Sequence, residues 1–237
     1  MLEISSITVR FGGVVALNDV SARFDKPVNG IIGPNGAGKT TLMNVLSGFV
    51  QPSGGSVSRD GQDLLRLAPH RRAHWGLRRS FQKEEIADDL TVFENVLVQI
   101  DNSRTPMAEK RAEVERMLDL VGMAGRAGKI GADLSGFERR LTDVAKCMVG
   151  KPRVVMFDEP AGGMSVDESR ELGALIRRIH AATGAQTLVI DHDVELIREV
   201  CEDTLVLDFG RRIAFGPTAD VLADPKVKAA YLGTEEV

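Results

Sequence analysis

Gly33-Pro34-Asn35-Gly36-Ala37-Gly38-Lys39-Thr40 is the stretch on which the reading of this chain turns. It fits the pattern G-x-x-x-x-G-K-[ST], and it stands after a short apolar run and before a helical pattern, the context the pattern requires. Its glycines let successive backbone N–H groups turn inward and form a concave anion site at a helix N-terminus. Lys39 supplies a mobile positive charge for the β- and γ-phosphates of a nucleotide, and Thr40 offers a hydroxyl to Mg²⁺. The expected phosphate-binding set is Gly33, Pro34, Asn35, Gly36, Ala37, Gly38, Lys39, Thr40 and Thr41.

Outward from this loop, residues 28–32 read as a buried strand, and Thr40 to Ser47 as a helix stopped by Gly48. Residues 2–10 and 14–24 read as strands joined by a turn at Gly12-Gly13. Further strands fall at 154–157, 187–190 and 204–207, with helical stretches between them. That alternation predicts an α/β core with a mainly parallel sheet. The middle, from about 85 to 150, shows helical periods and no buried strand. Val114, Met117, Leu118 and Val121 share one face before Gly122, and Leu141, Val144, Ala145, Met148 and Val149 share another. This part reads as a helical insertion.

The bulk properties set limits. The chain has 237 residues, 43% hydrophobic and 27% charged, with a net charge of −4, which are ordinary globular values. Its arginines come as scattered pairs and form no basic tail, so no nucleic-acid partner is expected. Cys147 and Cys201 are far apart and form no CxxC, which reads as buried, reduced thiols. The N-terminal residues lack a signal-peptide pattern and no stretch approaches 18 apolar residues. If the protein works at a membrane, other chains are expected to hold it there.

Asp158-Glu159 closes the apolar run at 154–157, and the end of a parallel strand faces the ligand crevice. Asp158 is the expected Mg²⁺ carboxylate, and Glu159 can reach a water aimed at the γ-phosphate. Leu134-Ser135-Gly136-Phe137-Glu138 lies before this pair and also reads as a capping box, S-x-x-E. Ser165-Val166-Asp167-Glu168 repeats that pattern and reads as structural.

The order of these stations resembles the ABC ATPases, over essentially the whole chain. Leu134 to Glu138 resembles their LSGGQ signature. The resemblance implies a P-loop NTPase (RecA-like) core with an N-terminal antiparallel β subdomain and an α-helical subdomain. Residues 1–237 would form a single cassette, with about 1–82 and 151–237 as the catalytic core and about 83–150 as the helical part. It implies Phe11 as the adenine-stacking aromatic, Gln82 as a catalytic and Mg²⁺-contacting glutamine, Glu159 and His192 as catalytic residues, and ATP with Mg²⁺ as ligands. Metal contacts would come from Thr40, Gln82 and Asp158. Ser135 and Gly136 would act in trans, on ATP held by a second ATPase subunit packed head to tail.

Two departures from the family stand out. Phe137 replaces the signature's fourth residue, usually glycine, and Glu138 its fifth, usually glutamine. The Phe137 Cβ and ring are expected to restrict close approach and to disfavour positive φ. Ser165 also stands where an aspartate is common. These changes bear on hydrolysis more than on nucleotide binding.

Within the family, Arg10 to Leu17, Arg79-Ser80-Phe81-Gln82, Glu159-Pro160-Ala161-Gly162-Gly163 and Tyr231-Leu232-Gly233 resemble the ATPases of branched-chain amino acid importers. That implies two separate membrane permease subunits, a separate solute-binding protein, and a peripheral position on the cytoplasmic face of the inner membrane. A lipopolysaccharide-exporter ATPase, a urea-importer ATPase, and a soluble nucleotide-gated ABC protein uncoupled from transport remain alternatives. Ile86, Leu90, Val92, Phe93, Val96 and Leu97 could receive a short helix of a membrane subunit or could close the subdomain core.

Overall fold

The computed structural model describes residues 1–232, so Gly233 of the Tyr231-Leu232-Gly233 stretch lies outside the described residues. In chain order the elements are β1 (Leu2–Phe11), β2 (Val14–Phe24), β3 (Val28–Ile32), α1 (Lys39–Ser47), β4 (Gly54–Arg59), β5 (Gln62–Asp63), α2 (Pro69–Trp75) and β6 (Leu77–Arg79). Then come α3 (Val92–Asp101), α4 (Met107–Leu120), α5 (Gly136–Met148), β7 (Val154–Asp158), α6 (Val166–Thr183), β8 (Gln186–Ile190), α7 (Val194–Val200), β9 (Asp203–Asp208), β10 (Arg211–Pro217), α8 (Thr218–Ala223) and α9 (Pro225–Leu232).

The N-terminal strands build an antiparallel sheet ordered β2-β1-β4-β5. In β1 the buried positions are Leu2 and Ile4, then Ile7 and Val9, so the alternation changes phase midway. A register irregularity between Ile4 and Ile7, with Ser6 at φ 50°, absorbs the extra residue and keeps the apolar side inward.

The second sheet runs β10-β9-β3-β8-β7-β6, parallel throughout except for the antiparallel edge strand β10. Its central strands β3, β7 and β8 are buried at every position, as expected of strands covered on both faces. Alternation divides their side chains. Val155, Phe157, Val189 and Val206 join one core cluster with the helices α5, α6 and α7. Val154, Met156, Leu188 and Leu205 join the other, with α1 and the antiparallel sheet.

Residues 85–150 carry the three helices α3, α4 and α5 joined by loops, and among the described residues the strand pairing there is one isolated bridge between Thr91 and Ile130. Val114, Met117 and Leu118 of α4 and Val144, Ala145 and Met148 of α5 share a cluster with Val92 and Val96 of α3. Ile86 is buried in that cluster too, and Phe93 and Leu97 pack against it. These apolar residues therefore close the core and offer little free surface. Both cysteines are buried and free, and burial pushes both thiols up from the ordinary range.

Candidate functional site

The phosphate-loop residues fill the crossing from β3 to α1, at the carboxyl end of the parallel sheet. Two glycines are demanded by space as well as by backbone angle. Gly33 has φ 153°, and a Cβ there would stand 2.2 Å from the Leu207 carbonyl oxygen. Gly38 has φ 102°, and its Cβ would stand 2.8 Å from the Ala16 carbonyl oxygen. Gly38 is also the N-cap of α1, makes no side-chain cap, and is followed by a first turn without acidic residues. The helix thus keeps its positive end and its free N–H groups for an external anion. The turn between β9 and β10 braces the loop, as Gly210 N–H donates to Ala37 O at 3.0 Å and Asn18 N–H donates to Gly210 O at 2.8 Å.

A cleft of about 410 Å³ opens here, lined by Val14 to Ala16, Asn35 to Thr41, Glu159, Phe209 and Gly210. Lys39 is 6% exposed and donates to its own loop, to Gly33 O at 2.6 Å and Pro34 O at 3.1 Å. Burial pulls its ammonium below the usual lysine range, against the raising pull of Glu159, Asp158 and Asp191. An ammonium so held has anionic neighbours, but among the described residues it donates to carbonyls, and a phosphate would give it stronger acceptors.

Glu159 leaves β7 with φ 49°, a rare angle for a non-glycine residue, fixed by its N–H donating to Ile190 O at 2.7 Å. Its carboxylate accepts from Gln82 Nε2 at 2.9 Å and lies 3.9 Å from His192 Nδ1. The three residues expected to be catalytic therefore converge on one point at the edge of the phosphate loop. Asp158 is buried and ion-paired with Arg79 at 2.9 Å. Thr40, Asp158 and Gln82 each carry a side-chain oxygen, the Gln82 amide nitrogen being committed to Glu159, and oxygen donors suit a hard cation such as Mg²⁺. Phe11 ends β1, 52% exposed, at a hairpin where its partner Val14 lines the cleft.

Ser135 and Gly136 stand elsewhere. They are exposed at the start of α5 and line a separate cleft of about 240 Å³ with Phe137, Gly162, Gly163 and Glu168. The capping box is complete, with Glu138 N–H donating to Ser135 Oγ at 3.2 Å and Ser135 N–H donating to Glu138 Oε2 at 2.9 Å. Glu138 also pairs with Lys129 at 2.7 Å and Arg126 at 2.5 Å. The Lys129 hydrogen bond, then the Ser135 N–H, holds its carboxyl below the usual range. Phe137 lies within α5, outside the positive-φ set, with its ring packed against the core. The expected conflict over a left-handed backbone does not arise at this residue. Ser165 and Glu168 form a second complete box, at the start of α6.

Several neighbours of the site escaped sequence reasoning. Asp191 is buried, accepts from the N–H groups of Asp193 at 2.9 Å and Ala161 at 3.5 Å, and has its carboxyl raised by burial. Phe209, at φ 40° and 86% exposed, lines the phosphate cleft beside Gly210. A bulky residue in that conformation was the one available signal, and it is invisible without dihedral angles.

Comparison with known proteins defines the class. The ABC transporter family matches residues 17–162, and the chain belongs to that family. A second match, to the branched-chain amino acid ATP-binding cassette transporter family, covers residues 211–237. The chain is 35% identical over 250 residues to the high-affinity branched-chain amino acid transport ATP-binding protein BraF of Pseudomonas aeruginosa, covering 98% of both chains. It is 32% identical over 249 residues to the corresponding protein LivG of Escherichia coli K12, again covering 98% of both. Among solved structures, the ADP conformation of MJ1267, an ATP-binding cassette of an ABC transporter, superposes with TM-score 0.88 at 26% identity over 98% of both chains. A nucleotide-free cassette from an ABC transporter gives TM-score 0.87 at 26% identity, covering 98% of this chain and 99% of that one.

Proposed function

We propose that this chain is the ATP-hydrolysing subunit of a branched-chain amino acid importer, working as a head-to-tail pair of cassettes beneath two separate membrane subunits. The convergence of Gln82, Glu159 and His192 beside the phosphate loop carries the reading. On binding ATP, Lys39 exchanges the Gly33 and Pro34 carbonyls for phosphate oxygens, and the first N–H groups of α1 donate to the same anion. Thr40, Asp158 and Gln82 would hold Mg²⁺, which when bound offsets charge on the β- and γ-phosphates. Glu159, oriented by the Gln82 amide, accepts the proton of a water. The water oxygen bonds to the γ-phosphorus as the bond from that phosphorus to the β–γ bridging oxygen breaks, giving ADP and inorganic phosphate. His192 donates to the γ-phosphate, and Phe11 stacks on the adenine.

Ser135 and Gly136 line a different cleft from Lys39, so a second copy would supply them, carried by a helical part spanning about 83–150. A further cleft of about 350 Å³, walled by Phe49, Phe81, Glu85, Gln99 and Lys146, is of a size to admit a short segment of a membrane subunit. No helix among the described residues is long and apolar enough to cross a membrane, which fits a peripheral subunit on the cytoplasmic face, with a separate solute-binding protein beyond the membrane. Glu159→Gln tests the reading. It should keep ATP affinity, lower turnover by about 10²–10³, and accumulate as an ATP-loaded dimer in light-scattering chromatography. A variant that stays monomeric with saturating ATP, or turns over at the parental rate, would remove the proposal.

A further inference from the structure

Arg79 is the last residue of β6, paired in register with Met156, two residues before Asp158. Its Nη2 donates to Asp158 Oδ2 at 2.9 Å, and the two side chains are only 7% and 11% exposed. Its Nη1 donates to Asn44 Oδ1 at 2.7 Å and Ser47 Oγ at 3.2 Å, both on the helix that begins at the phosphate loop. The guanidinium face lies 4.9 Å from the centre of the Phe81 ring. Four contacts thus hold a planar cation that engages one oxygen of Asp158 and thereby fixes the direction of the other. A lysine could supply the charge but not this fork.

We infer that Arg79 is a positioning residue for Asp158, aiming the free carboxylate oxygen at the divalent cation that accompanies the nucleotide. The inference rests on the ATPase reading above. Hydrogen-bonding partners of metal-binding carboxylates carry a typical cost of about 10–100-fold in metal affinity when removed. Asp158 without Arg79 would lose the partner that fixes the orientation of its carboxylate.

The test uses Mn²⁺ as the probe, titrated by electron paramagnetic resonance in the presence of a non-hydrolysable ATP analogue. Arg79→Gln should raise the Mn²⁺ dissociation constant about 10–100-fold while binding of the same analogue in excess chelator stays within about two-fold. Arg79→Lys should recover part of the metal affinity. Asn44→Ala, which leaves the Arg79 charge in place, should weaken Mn²⁺ by a smaller factor and decides the matter if Arg79→Gln fails to fold. Parental Mn²⁺ affinity in Arg79→Gln, or in Asn44→Ala when that is the only folded variant, would overturn the inference. So would an equal loss of metal-dependent and metal-free nucleotide binding. Absence of Mn²⁺-nucleotide binding in the unmodified chain would instead overturn the ATPase reading.

Discussion

Asp143 offers the sharpest test of how the helical part is held together. It sits in α5, 4% exposed, with no hydrogen-bond partner for Oδ2 among the described residues. Burial pushes its carboxyl up from 3.8 to about 6, against the opposing pull of Lys146 and Arg140 and with Glu84 and Glu85 adding to the rise. A carboxyl raised on folding binds its proton more tightly in the native state. Its contribution to stability is therefore complete below about pH 4 and lost as pH climbs through about 6. At 1.36 kcal/mol per unit, the whole span is worth about 3 kcal/mol, of which roughly 1.3 kcal/mol falls between pH 5 and pH 7. Asp143→Asn removes that titration while keeping the shape. Any fixed cost of burying the amide cancels when each protein is compared with itself across pH. Urea denaturation at pH 5, 6, 7 and 8 should show the stability of the parent falling relative to Asp143→Asn by about 1–1.5 kcal/mol from pH 5 to 7. Parallel pH profiles would refute the reasoning, as would a parent that gains stability against the variant over that interval.

Three further perturbations bear on other parts of the site. Gly38→Ala places a Cβ 2.7 Å from Leu17 Cδ2 at φ 102°, so nucleotide affinity measured with a fluorescent ATP analogue should fall at least about ten-fold, with roughly 1–3 kcal/mol of destabilisation. Ser135→Ala removes the oxygen that caps α5 and should cost about 1 kcal/mol in chemical denaturation, with ATP binding to the isolated chain unchanged. Because Cys147 and Cys201 are buried with raised pKa values, an aromatic disulfide reagent at pH 8 should label both only in denaturant. Rapid labelling of the native chain would show that one of these regions opens.

The central strands were legible because parallel strands covered on both faces are largely apolar: 154–157 is wholly so, while 28–32 and 187–190 are interrupted only by Asn29 with Gly30 and by Thr187. β4, β5 and β6 were not. Gly54–Arg59 carries one buried residue, Val57, and β5 has two residues, so neither offers a period to count. β6 is Leu77-Arg78-Arg79, whose arginines form one of the scattered pairs and carry no strand pattern. In the fold, Arg78 donates to the Ala73 carbonyl and Arg79 turns toward Asp158. A charge that finds its partner 79 residues away leaves no local pattern.

That long-range placement comes from register. Ile31 pairs with Ile190, and Ile190 pairs with Asp158, while Arg79 pairs with Met156. The four segments therefore reach the same end of the sheet at nearly one level, and each then emits its functional group: the phosphate loop after β3, Glu159 after β7, Asp191-His192 after β8, Arg79 and Gln82 around the end of β6. The chemistry was readable segment by segment because each group follows a strand end, but the meeting of Gln82 with Glu159 at 2.9 Å depends on a β6 that no periodicity announces. A one-residue slip of β6 along β7 would carry Arg79 to the opposite face of the sheet and displace Gln82 by about 3.3 Å. The buried Arg79–Asp158 pair opposes that slip, because it would leave two charges nearly dry and unpaired, a change of about 3–5 kcal/mol. The ion pair that we infer orients Asp158 would thus also set the register that brings Gln82 to Glu159.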